Sequence, residues 1–181
     1  MSEMFINIIT PCVRPQNLKK IAKSINIPSS NFRWIVVCDR NFYPYIGYIP
    51  LNCKIYYHKN FESISGNAQR NFALQKVKKG YVYFNDDDTL IHPELWENIK
   101  DRNEDFIYFK QKFNNSSRFS EDIRVGNIDS HSFLVSTSIL TDLKWELGLY
   151  EADAYFAMEC YKRAKSIYFI DKELSVYNAL R

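Results

Sequence analysis

Three consecutive acids, Asp86, Asp87 and Asp88, follow a short run of aromatic and β-branched residues at Tyr81–Phe84. Such a run is typical of a buried strand, so the acids would stand at its carboxyl end. Carboxylate oxygens are ligands that Mg²⁺ and Mn²⁺ prefer, and three crowded carboxylates repel one another unless a positive group lies between them. A turn is the other interpretation, because Asn and Asp also bond their own backbone in tight bends.

The elements before the acids predict parallel βαβ units. Strands are predicted at 5–10, 32–38 and 54–57, with Pro11 ending the first, and helices at about 18–26 and 67–79, with Gly80 as the C-cap of the second. An irregular loop is predicted at 40–51. Ligands of parallel sheets bind at the carboxyl ends of the strands, so we expect Thr10, Pro11 and Asp39 to meet the three acids in one crevice.

The second half of the chain has a less regular pattern. A helix is predicted from His92, a strand at 106–109, a mobile polar loop at 114–121 and a strand-like run at 127–135. A helix at 151–165 and two closing strands at 167–170 and 174–177 complete the chain. No linker or internal repeat interrupts it, so its 181 residues predict one domain.

Composition excludes several classes of protein. A net charge of +3 without a basic run gives no indication of nucleic-acid binding. The four cysteines are widely spaced and form no Cys-x-x-Cys pair, so they indicate neither a zinc site nor a redox motif and suit a reducing compartment. No stretch approaches the roughly 20 apolar residues of a membrane span, and the first residues do not resemble a signal peptide. We therefore expect a soluble, cytoplasmic protein.

Several motifs occur in the same order as in the inverting glucuronyltransferase family and resemble its signatures. The two tightest matches are Gly66-Asn-Ala-Gln-Arg-Asn-Phe-Ala-Leu74 and Gly80-Tyr-Val-Tyr-Phe-Asn-Asp-Asp-Asp88. The opening loop, Thr10-Pro11 with Arg14-Pro15, and the strand Trp34-Ile-Val-Val-Cys-Asp39 are also similar to that family. Weaker likenesses are Ile128-Asp129 with Phe133-Leu-Val and Tyr150-Glu151-Ala-Asp153.

This resemblance implies an α/β fold, a single Rossmann-like GT-A domain over 1–181 with a mixed central sheet flanked by helices. Residues 1–90 would form the nucleotide-binding half and 91–181 the acceptor and catalytic half. The implied activity is a metal-dependent hexosyl or pentosyl transfer from a UDP-sugar to a glycan or other hydroxyl acceptor, with inversion. A retaining mechanism stays open.

The resemblance also implies a role for individual residues. A Mn²⁺ or Mg²⁺ ion, bound through a DXD-type motif by Asp88 and Asp86, would stabilise the diphosphate leaving group. Glu151, or secondly Asp153, would be the general base that takes the proton of the acceptor, and Asp129 would orient that acceptor. The implied nucleotide and donor contacts are Thr10, Pro11, Arg14, Asp39, Arg70, Asp86 and Asp87.

Two positions depart from the family pattern. Ser65 stands where the family has an arginine, and Asn178 stands where it has a histidine that reaches the diphosphate, although Arg181 could substitute. Two alternatives therefore stay open: a non-catalytic nucleotide- or glycan-binding relative, and a sugar nucleotidyltransferase. The second would normally carry a Gly-rich, basic phosphate loop after the first strand, where this chain has Cys12-Val-Arg-Pro15.

Overall fold

One mixed sheet organises the chain in this computed structural model, which describes residues 3–39, 50–58, 63–119 and 121–181. Its strands are β1 (Ile6–Cys12), β2 (Phe32–Asp39), β3 (Cys53–His58), β4 (Tyr81–Phe84), β5 (Leu90–Ile91), β6 (Phe106–Phe113), β7 (Ser116–Arg118), β8 (Phe133–Ser136) and β9 (Ile167–Val176). Their order across the sheet is β3-β2-β1-β4-β8-β6-β9-β5, and β7 pairs with β6. Strands β1 to β4 are parallel, as predicted, whereas β8 joins β4 and β6 in antiparallel pairing.

Helices cover both faces of the sheet. They are α1 (Leu18–Ser24), α2 (Asn67–Leu74), α3 (Leu95–Ile99) and α4 (Ala152–Arg163). Alternate side chains of the parallel strands enter opposite cores: Trp34 and Val36 pack in the core that contains α1 and α3, and Ile35 in the core that contains α2 and α4. In the described part of the chain, no helix has the length and apolar character needed to cross a bilayer.

Strand β1 does not end at Pro11, contrary to the prediction. It continues to Cys12, because Pro11 pairs with Val37 on the side of β2, while β4 accompanies β1 only as far as Ile9. Proline is tolerated where one side of a strand has no neighbour that needs its missing N–H.

Helix α2 ends at Leu74, five residues before the predicted end at Lys79. The buried Asn7 side chain holds the following segment in another conformation: its amide bonds the carbonyls of Lys78 and Tyr81, and its oxygen accepts the Lys78 N–H. Gly80 therefore does not cap the helix. Its φ is +137°, and a Cβ there would lie 2.3 Å from the Phe5 carbonyl oxygen, so glycine is needed for close approach.

The second half departs further from the prediction. The segment predicted as a mobile loop contains β7, which forms a hairpin with β6 through Asn114 at a φ of 54°. Strand β9 is continuous where two strands were predicted, since the polar residues at 171–173 lie beside an irregularity in its pairing with β6. The predicted loop at 40–51 lies mostly outside the described residues.

Candidate active site

A cleft of about 580 Å³ opens at the carboxyl ends of β1, β2 and β4. The predicted residues that line it are Pro11, Arg14, Asp39, Arg70, Asp86, Asp87, Asp88, Asp129, Glu151 and Asp153. The crevice expected from the strand order is therefore present. Thr10 is the exception, because it is fully buried and its hydroxyl accepts a 2.9 Å hydrogen bond from the indole of Trp34.

Asp87 is bound to the loop that follows β1. The backbone N–H groups of Val13 and Arg14 both donate to its Oδ2 at 2.6 Å, and the Arg14 guanidinium donates to its Oδ1 at 2.5 Å. A buried carboxylate needs such partners to remain charged. Asp87 thus fixes the loop at the edge of the cleft.

Asp88 is held by two arginines, one from each end of the chain. Arg181 donates to its Oδ2 at 2.8 Å, and Arg14 approaches the same oxygen at 3.2 Å. The Leu180 N–H also donates to the Asp88 carbonyl. Asp88, which the family resemblance assigned as a metal ligand, is therefore paired with arginine side chains of the chain itself.

Asp86 pairs with Arg70, which reaches it from α2. Arg70 lies on the buried face of α2, and its guanidinium is 4.6 Å from the centre of the Trp145 ring and 2.5 Å from Asp86 Oδ1. Burial alone would raise the pKa of Asp86. The charges of Arg70 and His131 outweigh burial and hold that pKa below its ordinary value.

The other carboxylate oxygen of Asp86, Oδ2, faces Asp129 and His131 instead of Arg70. One ligand atom each from Asp86, Asp129 and His131 lies within 4.8 Å of the others, which makes these residues a candidate cation site. His131 Nε2 is buried and has no hydrogen-bond partner in the described residues, with Asp129 Oδ1 at 3.4 Å and Asp86 Oδ2 at 3.7 Å. The other ring nitrogen, Nδ1, contacts the Gln111 amide. His131 was not among the site residues that the sequence or the family resemblance indicated.

A short 3-10 turn at Ser130–Ser132 places Asp129 and His131. Asp129 Oδ1 accepts the Ser130 N–H at 2.7 Å, and the Ser132 hydroxyl accepts the Asp129 N–H at 3.1 Å. The spacing of Asp129 and Ser132 in the sequence is typical of this reciprocal capping. It would have indicated a turn inside the strand-like run predicted at 127–135. Asp129, expected to orient the acceptor, thus lies in the candidate cation site.

The two candidate bases occupy the start of α4. Glu151 is exposed at the cleft, whereas Asp153 is half-buried. Burial, followed by the negative charge of Asp129, raises the pKa of Asp153 to about 6 even though the Ala154 N–H and Arg70 stabilise its charged form.

Comparison with known proteins gives structural relatives only. No protein-family model and no curated protein sequence matches this chain. Among solved structures, S. aureus TarS 1–349 has a TM-score of 0.75 at 21% identity over 96% of this chain, and TarS has also been solved with UDP and with UDP-GlcNAc. This chain spans 60% of that TarS structure.

Two further structures share the architecture. The mannosyltransferase PcManGT from Pyrobaculum calidifontis, solved with GDP-Man and Mn²⁺, has a TM-score of 0.72 at 12% identity, covering 98% of this chain and 58% of its own. The inositol-1-phosphate CTP transferase from T. maritima has a TM-score of 0.61 at 10% identity, covering 97% of this chain and 89% of its own. The fold is therefore of the GT-A type, as predicted. The closer likeness to the glucuronyltransferases stays a prediction.

Proposed function

We propose that this chain is a cation-dependent glycosyltransferase that moves a sugar from a nucleoside diphosphate sugar to a hydroxyl acceptor. A UDP-sugar is the proposed donor. The composition of the cleft is the main support for this proposal. Two carboxylates and an imidazole form a candidate cation site at the strand ends, and a carboxylate with a raised pKa lies at the start of α4. Nucleotide complexes of TarS and PcManGT, which share the fold, support a nucleotide-sugar donor.

The cation would be held by Asp86, Asp129 and His131. The unpartnered Nε2 of a buried histidine suits this role, because imidazole together with carboxylate oxygens favours a transition ion such as Mn²⁺ over Mg²⁺. When bound, the ion supplies Lewis-acid stabilisation of the charge that develops on the departing diphosphate. Arg14 and Arg181, which both contact Asp88, would add positive charge near the diphosphate, and Asp39, which lines the same cleft, would bind the base of the nucleotide.

Asp153 is the proposed general base, ahead of Glu151. A base must be ionised at working pH and still bind a proton well, and burial, the largest cause of the raised pKa of Asp153, makes its carboxylate more basic than an ordinary one. Taking the acceptor proton as the hydroxyl attacks the anomeric carbon gives a single displacement, which inverts that centre. Asp153→Asn and Glu151→Gln separate the two candidates, because the variant that loses transfer by a factor of about 10² or more lacks the base.

Thermal unfolding with ligands tests the donor site. UDP, GDP and their sugar conjugates are each added with Mn²⁺ or with chelator, since a ligand that binds only the folded protein stabilises it by about 2.7 kcal/mol at a hundredfold excess over Kd. We expect a Mn²⁺-dependent rise that Asp86→Asn abolishes. Asp88→Asn tests the role that the sequence assigned to that residue. No rise with any nucleotide would refute the proposal.

A sugar nucleotidyltransferase is the second candidate, because the T. maritima CTP transferase shares the fold. Such an enzyme needs free backbone N–H groups after β1 to hold a triphosphate. Here the N–H groups of Val13 and Arg14 already donate to Asp87, which favours the glycosyltransferase. Release of pyrophosphate from a nucleoside triphosphate and a sugar phosphate would reverse that preference. Nucleotide binding without any turnover would indicate a non-catalytic relative.

A further inference from the structure

An apolar lip borders the cleft on the side where α4 begins. It consists of Ile64, Leu147, Leu149 and Tyr150, which are 44%, 44%, 41% and 75% exposed. The Ile64 N–H donates to the Leu147 carbonyl, so the two segments of the lip lie side by side. Adjacent exposed apolar side chains next to a polar cleft indicate a binding surface more often than isolated ones do.

The lip is held firmly although it has no regular secondary structure. The buried Asn67 side chain donates to the carbonyls of Glu146 and Leu149 at 2.8 and 3.1 Å. Asn71 exchanges two 2.8 Å hydrogen bonds with the backbone of Trp145. Two asparagines of α2 thus fix the backbone just before Tyr150, and a surface fixed in advance loses little entropy when a ligand binds.

The position of the lip beside the candidate bases indicates which kind of molecule would bind to it. Tyr150 lines the cleft beside Glu151 and two residues before Asp153, so a molecule whose hydroxyl reaches either carboxylate would lie close to the Tyr150 ring. A tyrosine ring with neighbouring leucines offers an apolar surface with a polar tip. A saccharide ring, with an apolar C–H face and hydroxyl edges, has the matching chemistry.

We propose that the lip is the acceptor subsite and that the Tyr150 ring stacks on a pyranose ring of a saccharide acceptor. This assignment rests on the proposed function, since it takes a carboxylate at the start of α4, Asp153 or Glu151, as the base. Tyr150→Phe retains the ring, whereas Tyr150→Ala removes it. Tyr155→Ala is the matched control, because Tyr155 is 50% exposed on α4 and does not line the cleft.

Saturation-transfer NMR with methyl glycosides of glucose, galactose and N-acetylglucosamine measures acceptor binding in the presence of UDP and Mn²⁺. We expect at least one glycoside to bind wild type, Tyr150→Phe and Tyr155→Ala alike, and Tyr150→Ala to bind it about fivefold to tenfold more weakly. The stabilisation of each variant by UDP and Mn²⁺ should equal that of wild type.

The outcomes separate the two proposals. If UDP and Mn²⁺ stabilise wild type but no glycoside binds, or Tyr150→Ala binds as well as wild type, the acceptor subsite is refuted and the donor site stands. Loss of UDP stabilisation in Tyr150→Ala also refutes it, since the ring would then serve the donor. If wild type responds to no nucleotide, the proposed function itself fails.

Discussion

Replacing Asp153 by Asn should make the protein more stable when no cation is bound, and it should remove transfer activity when the cation is present. An acid whose pKa is raised on folding opposes folding once it ionises. The difference between the ordinary value of 3.8 and about 6 corresponds to about 3 kcal/mol at neutral pH, since one pKa unit equals about 1.4 kcal/mol. Asn keeps the oxygen that accepts the Ala154 N–H at 2.8 Å, so the substitution removes mainly the charge.

The sign of this effect gives it a characteristic pH dependence. Well below pH 3.8, the ordinary value, the Asp153 carboxyl is protonated in both folded and unfolded chains, so wild type and Asp153→Asn should be equally stable. Between about pH 4 and 6 the unfolded chain ionises Asp153, whereas the folded wild type keeps the proton because burial and the charge of Asp129 oppose its loss. The gain of the variant should therefore grow across this interval and then level off.

Urea unfolding of wild type and Asp153→Asn, with chelator and at several pH values between about 4 and 7.5, measures the gain. Glu151→Gln is the control, because that side chain is exposed and should show no comparable gain. Mn²⁺ should reduce the gain, since a cation at Asp86 and Asp129 offsets the negative charges near Asp153. A gain that is absent at neutral pH, or independent of pH, would refute the assigned environment of Asp153.

Three further substitutions test other parts of the structure. His131→Gln should weaken Mn²⁺ binding at least about tenfold in an EPR titration, whereas His92→Gln, away from the cleft, should not. Gly80→Ala should destabilise the protein by more than about 2 kcal/mol in urea, because its Cβ would meet the Phe5 carbonyl. Gly148→Ala, where a Cβ would meet no atom of the described residues within 4 Å, should change stability little. Arg181→Ala should change stability by less than about 1 kcal/mol, because its side chain is 58% exposed.

The first half of the fold was predictable because its signals are local. Buried parallel strands such as β2 are continuous apolar runs, and the turn residues between them set the boundaries. The end of α2 was missed because the residue that determines it, Asn7, lies on a strand 71 residues before its partner Lys78. No pattern within the helix itself contains that information.

The location of the candidate site was predictable from the sequence, but the side-chain contacts within it were not. The strand order and the family resemblance together indicated the cleft, and the resemblance indicated Arg70 as one of its residues. His131 was missed because one histidine in a mixed run has no distinctive spacing, and only the pairing of β4 with β8 brings it to Asp86. Arg181 was only a possible substitute, since nothing local shows that the tail returns to Asp88.

The three acids that suggested a metal site do not act as one group. Successive side chains after a strand point in different directions, so neighbouring carboxylates cannot all face one ion. Asp87 turns to the loop after β1, Asp88 to Arg14 and Arg181, and only Asp86 faces a second carboxylate and an imidazole. Asp129 and His131, about 45 residues further along the chain, complete the candidate cation site. An acidic triplet in sequence therefore indicates where a sheet edge carries charge, and the strands beside it decide which acid is left to bind a cation.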